Sequence, residues 1–368
     1  MLRRSFPGLI FAMACVAAFA ACGGSYSSTP YSGGVPGIGP NFVKNTIYVT
    51  NTTQNVIELY TPSPAAAATP QYAIGGSNTQ LNGPQYDAFD SSVRLYVTNF
   101  NPGTGAASIN IYAQFATGNV LPFSTLAGPG TLLDQPHGIA LLSDGTLVVA
   151  NTSATGTFSS AILVFTPLTS TSSPVLKIII AGSLTQLNSP NGVAIDSTKR
   201  VFVTNRGSGT VTAYVIPTPT PVPSASPTAT PTTNPSASPS PTPVPFNNNI
   251  APSVVIAGAA TGLVAPTGIT LDANNVIYVT DPDTGGPSVR IFAAGANGNV
   301  APTRVIAGAL TQLLNPLDVK VDSAGNIYVT DSGANKLLIF SPTANGNVAP
   351  AVAITLPAGS VTGLALSP

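Results

Sequence analysis

One short pattern with high strand propensity recurs six times along the 368 residues. Each copy has an aromatic or branched residue, a valine, a threonine or alanine, and a final Asn or Asp. The copies end at Asn51, Asn99, Asn151, Asn205, Asp281 and Asp331. Successive ends are 48, 52, 54, 76 and 50 residues apart. A period of about 50 residues rich in β-branched and aromatic residues is typical of a propeller blade rather than a solenoid coil. The pattern predicts six blades, with an insertion in the fourth.

A second motif precedes these copies and ends in a proline. Its prolines are Pro84, Pro136, Pro190, Pro266 and Pro316. The fourth blade shows four short strands most clearly, with strand A at 192–195, strand B at 201–204, strand C at 211–215 and strand D at 254–256. Short alternating strands separated by glycine-rich turns favour a four-stranded antiparallel blade.

Two stretches carry a family resemblance: LNSPNGVAIDSTKRVFVTNRGSGTVTAYV and GNIYVTDSGANKLLIF. They resemble the NHL-repeat propellers, in which a Pro-x-Gly turn precedes an inner strand ending in Asp, followed by a tyrosine-valine strand. The resemblance covers nearly all of residues 41–368 and implies an all-β, six-bladed β-propeller of four-stranded antiparallel blades. It implies no single activity, because such propellers host scaffolding, binding and catalysis alike.

The ends of the repeat region predict how the ring closes. The region begins at strand B of blade one, and residues 361–367 match a strand A. We therefore expect the C-terminal strand to complete the first blade, which removes an open seam where an unpaired strand edge would invite aggregation.

The fourth blade contains a Pro/Ser/Thr-rich insertion at 217–245, between strands C and D. This composition favours polyproline II and disorder. Both ends of the insertion continue into strands of one blade, so it must leave and return as an exposed loop. A neutral low-complexity expansion, a cell-wall-contacting arm and a glycosylated arm all fit it.

The N-terminus has the form of an export signal. Arg3 and Arg4 precede an apolar run that ends in small residues, and Phe19-Ala20-Ala21-Cys22-Gly23 resembles a bacterial lipoprotein cleavage site. We expect a signal peptide at 1–21, lipid on Cys22 and a flexible tether at 22–40, with the protein anchored to the outer membrane or cell surface. A plain secretory signal cut near Ala21 is the alternative.

Composition excludes one class of partner. The chain has 12 Lys or Arg against 12 Asp or Glu, and only 7% of its residues are charged. Clustered positive charge, which phosphate binding needs, is absent, so we expect no nucleic-acid partner. We expect a monomer whose partners are the membrane, through Cys22, and a protein or glycan.

Strand connectivity places the candidate site. If strand A runs from an upper to a lower face, the B–C and D–A loops form the upper face, and the A–B and C–D loops form the lower face. The tether enters from below. The residues that follow the prolines then lie at the upper mouth of the central tunnel, with the last residues of the B strands near them. The candidate ligand-binding residues are Gln85, His137, Asn191, Thr267, Asn99, Asn205, Asp281 and Asp331.

A structural role competes with binding at the strand ends, because Asn and Asp after a strand commonly cap a turn with their side chains. We expect no metal or cofactor, although Asp281, Asp283 and Asp331 leave Ca²⁺ open, since hard cations take oxygen ligands.

The inventory of catalytic groups is small. The chain has one His, His137, and one Glu, Glu58. A site with two or three His ligands for zinc is therefore excluded. We expect a non-enzymatic binding or scaffold module with an unidentified ligand. The alternatives are a propeller hydrolase or lyase acting at the tunnel mouth, and a structural component of the cell envelope.

Lipidation can be tested directly. We expect Cys22→Ser to move the protein from the membrane to the soluble fraction, because each buried CH₂ of an acyl chain contributes about 0.8 kcal/mol to anchoring. Cys15→Ser, within the apolar run, is the matched control and should not change partitioning. Membrane retention of a correctly processed Cys22→Ser protein would contradict the prediction.

Overall fold

The computed structural model describes residues 44–62, 64–101, 106–154, 158–170, 172–217, 246–283 and 286–368. Residues 1–43, including Cys22 and the expected tether, and residues 218–245 of the insertion lie outside this range. The described residues form six β-sheets and five one-turn 3₁₀ helices. None of their helices is long and apolar enough to cross a membrane.

Each sheet is one blade of a propeller. Strands A to D of blades one to three span these residues: Val361–Leu366, Ile47–Asn51, Val56–Tyr60, Tyr72–Gly75; Pro84–Phe89, Leu95–Asn101, Ala106–Tyr112, Ser124–Ala127; Gln135–Leu141, Leu147–Thr152, Ser160–Phe165, Leu176–Ile180. Those of blades four to six span these: Pro190–Ile195, Arg200–Asn205, Thr210–Val215, Val254–Ile256; Ile269–Leu271, Ile277–Asp281, Ser288–Phe292, Arg304–Ala307; Pro316–Val321, Ile327–Asp331, Lys336–Phe340, Val352–Thr355. In every blade, strands A to D pair antiparallel with their neighbours. This confirms the prediction of a six-bladed propeller.

The 3₁₀ helices lie in the D–A loops. They span Ser77–Thr79, Pro129–Thr131, Ser183–Thr185, Ala259–Thr261 and Ala309–Thr311. In each, the threonine hydroxyl donates to the carbonyl of the preceding glycine, as Thr185 does to Gly182 at 2.7 Å.

Blade one closes the ring as expected. Its strand A, from the C-terminus, pairs with its strand B, and Val49 lies opposite Leu364. Beyond the strands, the backbone N–H of Asn45 donates to the carbonyl of Ser367 at 2.9 Å. Both ends of the described ring therefore meet on the lower face.

The core lies between blades. Six clusters of buried apolar side chains occur among the described residues, one at each interface of neighbouring blades. The interface of blades four and five, for example, joins Phe202 and Val211 to Ile269 and Phe292. A single blade therefore lacks a core of its own and is stable only in the ring.

The insertion returns by a path that the sequence did not predict. Residues Phe246–Asn248 form a short strand that pairs parallel with strand D of the preceding blade three. Asn249 then accepts the backbone N–H of Leu184 at 2.8 Å. The Asn249 side chain packs directly against Gly182, where a Cβ would lie 2.6 Å from it. Glycine at this position therefore leaves room for the contact.

The C–D loops of blades two, five and six make the same contact. Asn119, Asn299 and Asn347 each accept a backbone N–H of the 3₁₀ helix in the preceding D–A loop. These asparagines link neighbouring blades at the outer edge of the ring. Because Asn249 keeps this contact, the insertion adds residues to the loop without removing its anchor.

A second set of links lies at the tunnel. In five blades the threonine before the final Asn or Asp of strand B donates its hydroxyl to a backbone carbonyl of the next blade. The acceptor is the residue after the motif proline, or Thr362 after Val361 in blade one. The donor–acceptor pairs are Thr50–Gln85, Thr98–His137, Thr204–Thr267, Thr280–Leu317 and Thr330–Thr362, at 2.5–3.0 Å. The same hydroxyls accept a backbone N–H from strand A of their own blade or, in blade five, from Gly268 just before it. Blade three has Ala150 at this position and lacks the link.

We expect Thr98→Val to lower the free energy of unfolding by about 1–3 kcal/mol, because the shape is kept while the Tyr86 N–H and the His137 carbonyl lose a buried partner. Ala150→Thr should raise it by about 1 kcal/mol, since the hydroxyl would complete the sixth link to Asn191. Denaturant melts measure both changes.

Thr125→Val is the control, because Thr125 lies exposed on strand D of the same blade as Thr98. It should change stability by less than about 0.5 kcal/mol. If Thr98→Val proved as mild as the control, the tunnel links would contribute little to stability.

Candidate functional site

The Pro-x-Gly positions lie where connectivity predicted, at the upper end of the A strands. Several of their polar side chains are already used inside the protein. The Thr267 hydroxyl lies 3.1 Å from that of Thr280 and donates to the carbonyl of Pro316 at 3.2 Å. The Gln85 amide donates to the carbonyl of Gly83 at 3.3 Å, and its side chain is half-buried. Gln85 is thus the more accessible of the two.

Tyr86 was not among the predicted site residues, although it occupies the glycine position of the Pro-x-Gly motif. Its side chain is buried, and its hydroxyl donates to Asn191 Oδ1 of blade four at 2.5 Å. The same hydroxyl lies 3.5 Å from the carbonyl of Leu317 in blade six. Tyr86 therefore crosses the tunnel and joins three alternate blades. The loss of glycine from the repeat was the signal that could have identified it.

His137 lies at the mouth with few polar partners. Its Nε2 is 3.4 Å from the Thr152 hydroxyl, which in turn donates to Gln135 Oε1 at 3.1 Å. Burial, with a smaller effect from Arg206, lowers the pKa of His137 from 6.5 to about 4. The imidazole is therefore neutral at pH 7. No carboxylate is hydrogen-bonded to it among the contacts of the described residues.

The residues that end the B strands act on the backbone of the upper loops. Asn99, Asn205, Asp281 and Asp331 each accept a backbone N–H from the D–A loop that leads into their own blade. Asn151 makes the same contact with Asp134 at 3.0 Å. This is a capping role, although it secures the loop before strand A more than the turn after strand B.

Two of the three aspartates considered for Ca²⁺, Asp281 and Asp331, accept hydrogen bonds from the protein backbone. Asp281 accepts two backbone N–H groups and lies 3.8 Å from the Arg290 guanidinium. Asp331 accepts from Leu314 and Asn315 in blade six. Across the described part of the chain, no group of three or more His, Cys, Asp or Glu could hold a metal ion.

The upper face also presents aliphatic side chains that the sequence interpretation did not use. Leu184, Leu310 and Leu314 lie in D–A loops and are 58–61% exposed. Val264 is similarly exposed in the loop before blade five. Leu184 and Leu310 belong to the 3₁₀ helices at the outer edge of the ring. At the mouth, Gln85, Asn191 and Thr267 are uncharged, whereas Arg206 is exposed and its positive charge acts on His137. The upper face therefore combines exposed apolar side chains with neutral hydrogen-bonding groups and the positive charge of Arg206.

The comparison with protein families bears on this fold. The model of the NHL repeat matches residues 313–340, which run from the D–A loop to the end of strand C in blade six. This confirms the expected NHL repeat in that blade. No curated protein sequence matches the chain.

Solved structures provide further likenesses. A protein of unknown function from Bacteroides caccae has a TM-score of 0.56 and 10% identity, over 88% of this chain and 99% of that one. A protein from Lactobacillus plantarum has a TM-score of 0.54 and 10% identity, with the same coverage. A luciferin-regenerating enzyme has a TM-score of 0.50 and 11% identity, over 84% and 92%. At these identities each likeness shows the fold alone.

The single histidine allows a pH prediction. We expect the His137 imidazole to titrate in the folded protein with a midpoint near 4. Because the unfolded chain binds this proton from about pH 6.5 downwards and the native state does not, stability should fall between pH 6.5 and 4. The contribution is at most about 1.4 kcal/mol per pH unit.

NMR titration of the imidazole gives the midpoint without ambiguity, since the chain has one His. Denaturant melts of the protein and of His137→Gln at several pH values give the free energy of unfolding as a function of pH. The difference between the two slopes is the contribution of His137. A midpoint near that of a free histidine would mean that His137 is solvated at the mouth.

Proposed function

We propose that this protein is an exported, lipid-anchored binding module whose upper face holds a protein partner in the cell envelope. The observation that carries the proposal is the upper face itself. Exposed leucines lie in its D–A loops, and the mouth presents uncharged polar side chains beside the exposed Arg206. Tyr86 crosses the tunnel beneath them. Apolar side chains beside unionised donors and acceptors suit a protein surface or peptide.

The chemistry of the mouth supports binding over catalysis. Thr267, Asn191 and the capping Asn and Asp side chains already make hydrogen bonds within the ring. His137 has a lowered pKa and lies beside a threonine, so it lacks the orienting carboxylate of a catalytic base. A hydrolase or lyase that used His137 as its base would need the substrate to supply the group that orients the imidazole.

The position of the chain ends supports the orientation. Thr46 donates its backbone N–H to the Ser367 hydroxyl at 2.9 Å on the lower face. A tether that precedes residue 44 would therefore approach from below. Lipid on Cys22 would then place the lower face towards the membrane and leave the upper face free for a partner.

The test uses a triple variant of the upper face, Leu184→Asp, Leu310→Asp and Leu314→Asp. The side chains are largely exposed, so folding should be kept while the apolar contacts are lost. We expect at least a tenfold loss of the envelope protein that is cross-linked to the tagged protein in intact cells. Quantitative mass spectrometry of the cross-linked species provides the measurement.

The matched control is Leu121→Asp, Phe123→Asp and Val175→Asp. These residues are 50–67% exposed and lie in C–D loops, within three residues of the start of strand D. The control should retain the partner. Equal retention by both triple variants would contradict an upper-face interface.

Two other results would redirect the proposal. Binding of purified glycan fragments that survives the leucine changes and fails with Gln85→Ala would favour a glycan ligand. Turnover of an envelope-derived substrate that fails with His137→Ala would favour the enzyme alternative.

A further inference from the structure

A cavity of about 390 Å³ opens at the lower mouth of the tunnel. It lies between the lower ends of strands A in blades six, one and two, on the face opposite the candidate site. Its walls include Ala88, Phe89, Val321 and Leu366. Its charged lining residues are Asp87, Asp90 and Lys320. The size falls within the range of about 300–1,000 Å³ that is typical of small-molecule sites.

Asp318 and Lys320 form an ion pair beside this cavity. Lys320 Nζ lies 2.8 and 2.9 Å from the two carboxylate oxygens of Asp318. Asp318 also accepts the backbone N–H groups of Val319 and Leu364 at 2.8 and 3.0 Å. The Asp318 carboxylate is therefore fully bonded, and the Lys320 ammonium is held against it. Asp90 is likewise paired, with Arg94 at 2.6 Å.

Asp87 differs from both of these aspartates. It is 2% exposed, and neither of its carboxylate oxygens has a hydrogen-bond partner. Leaving a buried carboxylate without partners is costly, and such groups in native proteins usually have a functional or ligand-dependent explanation. The cavity that Asp87 lines is the space from which a partner could come.

The charges near Asp87 indicate the sign of that partner. With both groups ionised, Asp87 and Asp318 carry two negative charges against the single positive charge of Lys320. One positive charge is missing. Both carboxylate oxygens of Asp318 already accept hydrogen bonds from Lys320. A divalent metal ion would therefore find one free carboxylate here, whereas such ions prefer six or more oxygen ligands.

From this geometry we infer that the lower cavity binds a small organic cation, a primary ammonium attached to an apolar body. The ammonium donates to the Asp87 carboxylate. The apolar body lies against Ala88, Phe89, Val321 and Leu366. The site is separate from the upper face, and neither proposal depends on the other.

The ionisation of Asp87 agrees with this assignment. Burial raises the pKa of Asp87 well above its ordinary value; the Lys320 ammonium opposes the shift, and the Asp318 carboxylate adds to it. Tyr48 faces Asp87 from blade one, and its pKa is raised by burial and by the Asp87 charge. A bound ammonium favours the ionised carboxylate, so binding of the cation should release a proton from Asp87.

Isothermal titration calorimetry with the purified protein and three probes of the same shape tests the inference. The probes are phenethylammonium, phenethyl alcohol and hydrocinnamate. We expect the ammonium to bind at least tenfold more tightly than the alcohol, and the carboxylate not to bind. In two buffers of different ionisation enthalpy, the ammonium should show proton release. Equal affinity of ammonium and alcohol would overturn the inference.

Substitutions locate the site. Asp87→Asn keeps the shape and removes the charge, so it should reduce ammonium affinity at least tenfold and leave alcohol affinity unchanged. Asp144→Asn is the matched control, because Asp144 lies exposed in a lower-face A–B turn outside the cavity. It should leave both affinities unchanged. Retention of ammonium binding by Asp87→Asn would overturn the inference.

A blocking variant covers the case in which Asp87→Asn does not fold. Ser91 is exposed and lines the cavity, so Ser91→Trp should obstruct the opening without disturbing the core. We expect it to abolish binding of the ammonium probe. Calcium chloride serves as a fourth probe, and calcium binding that is lost with Asp87→Asn would replace the organic cation by a metal ion.

Discussion

A threonine hydroxyl between neighbouring blades is the interaction on which the tunnel depends. It joins the end of strand B in one blade to the beginning of strand A in the next, and the donating threonines are fully buried. An unpaired carbonyl there would cost more than the bond itself contributes. Since no blade has a core of its own, these bonds and the interfacial clusters hold the six sheets at a common distance from the axis.

The departures from the repeat explain what fills the tunnel. At the third position of Pro-x-Gly, a Cβ at Gly192 would lie 2.4 Å from the carbonyl of Thr267, so glycine permits close approach of the blades there. Blades two and six carry Tyr86 and Asp318 at this position instead. Tyr86 closes the tunnel towards the upper face, and Asp318 holds Lys320 towards the lower one. The two faces consequently differ in chemistry although they share one repeat.

That difference separates the two proposed sites. The upper face presents exposed leucines, hydroxyl and amide groups that are bonded within the ring, and the exposed Arg206. The lower cavity contains a carboxylate without a partner in an apolar setting. Hydrogen-bonded neutral groups beside apolar side chains suit a surface that docks another surface, whereas a buried carboxyl group without a hydrogen-bond partner suits a small cation.

The sequence by itself determined the blade count, the strand order, the closing strand and the position of the insertion, because each follows from local periodicity and from turn residues that repeat at about 50-residue steps. It also placed Gln85, His137, Asn191 and Thr267 at one end of the A strands. Only the tertiary structure decided that Asn191 accepts from Tyr86 and that Phe246–Asn248 pairs with blade three. It alone brought Asp87 and Lys320 to one cavity from blades two and six. These contacts join residues from 68 to 233 positions apart in different blades. Such partners are selected by closure of the ring, which no local pattern records.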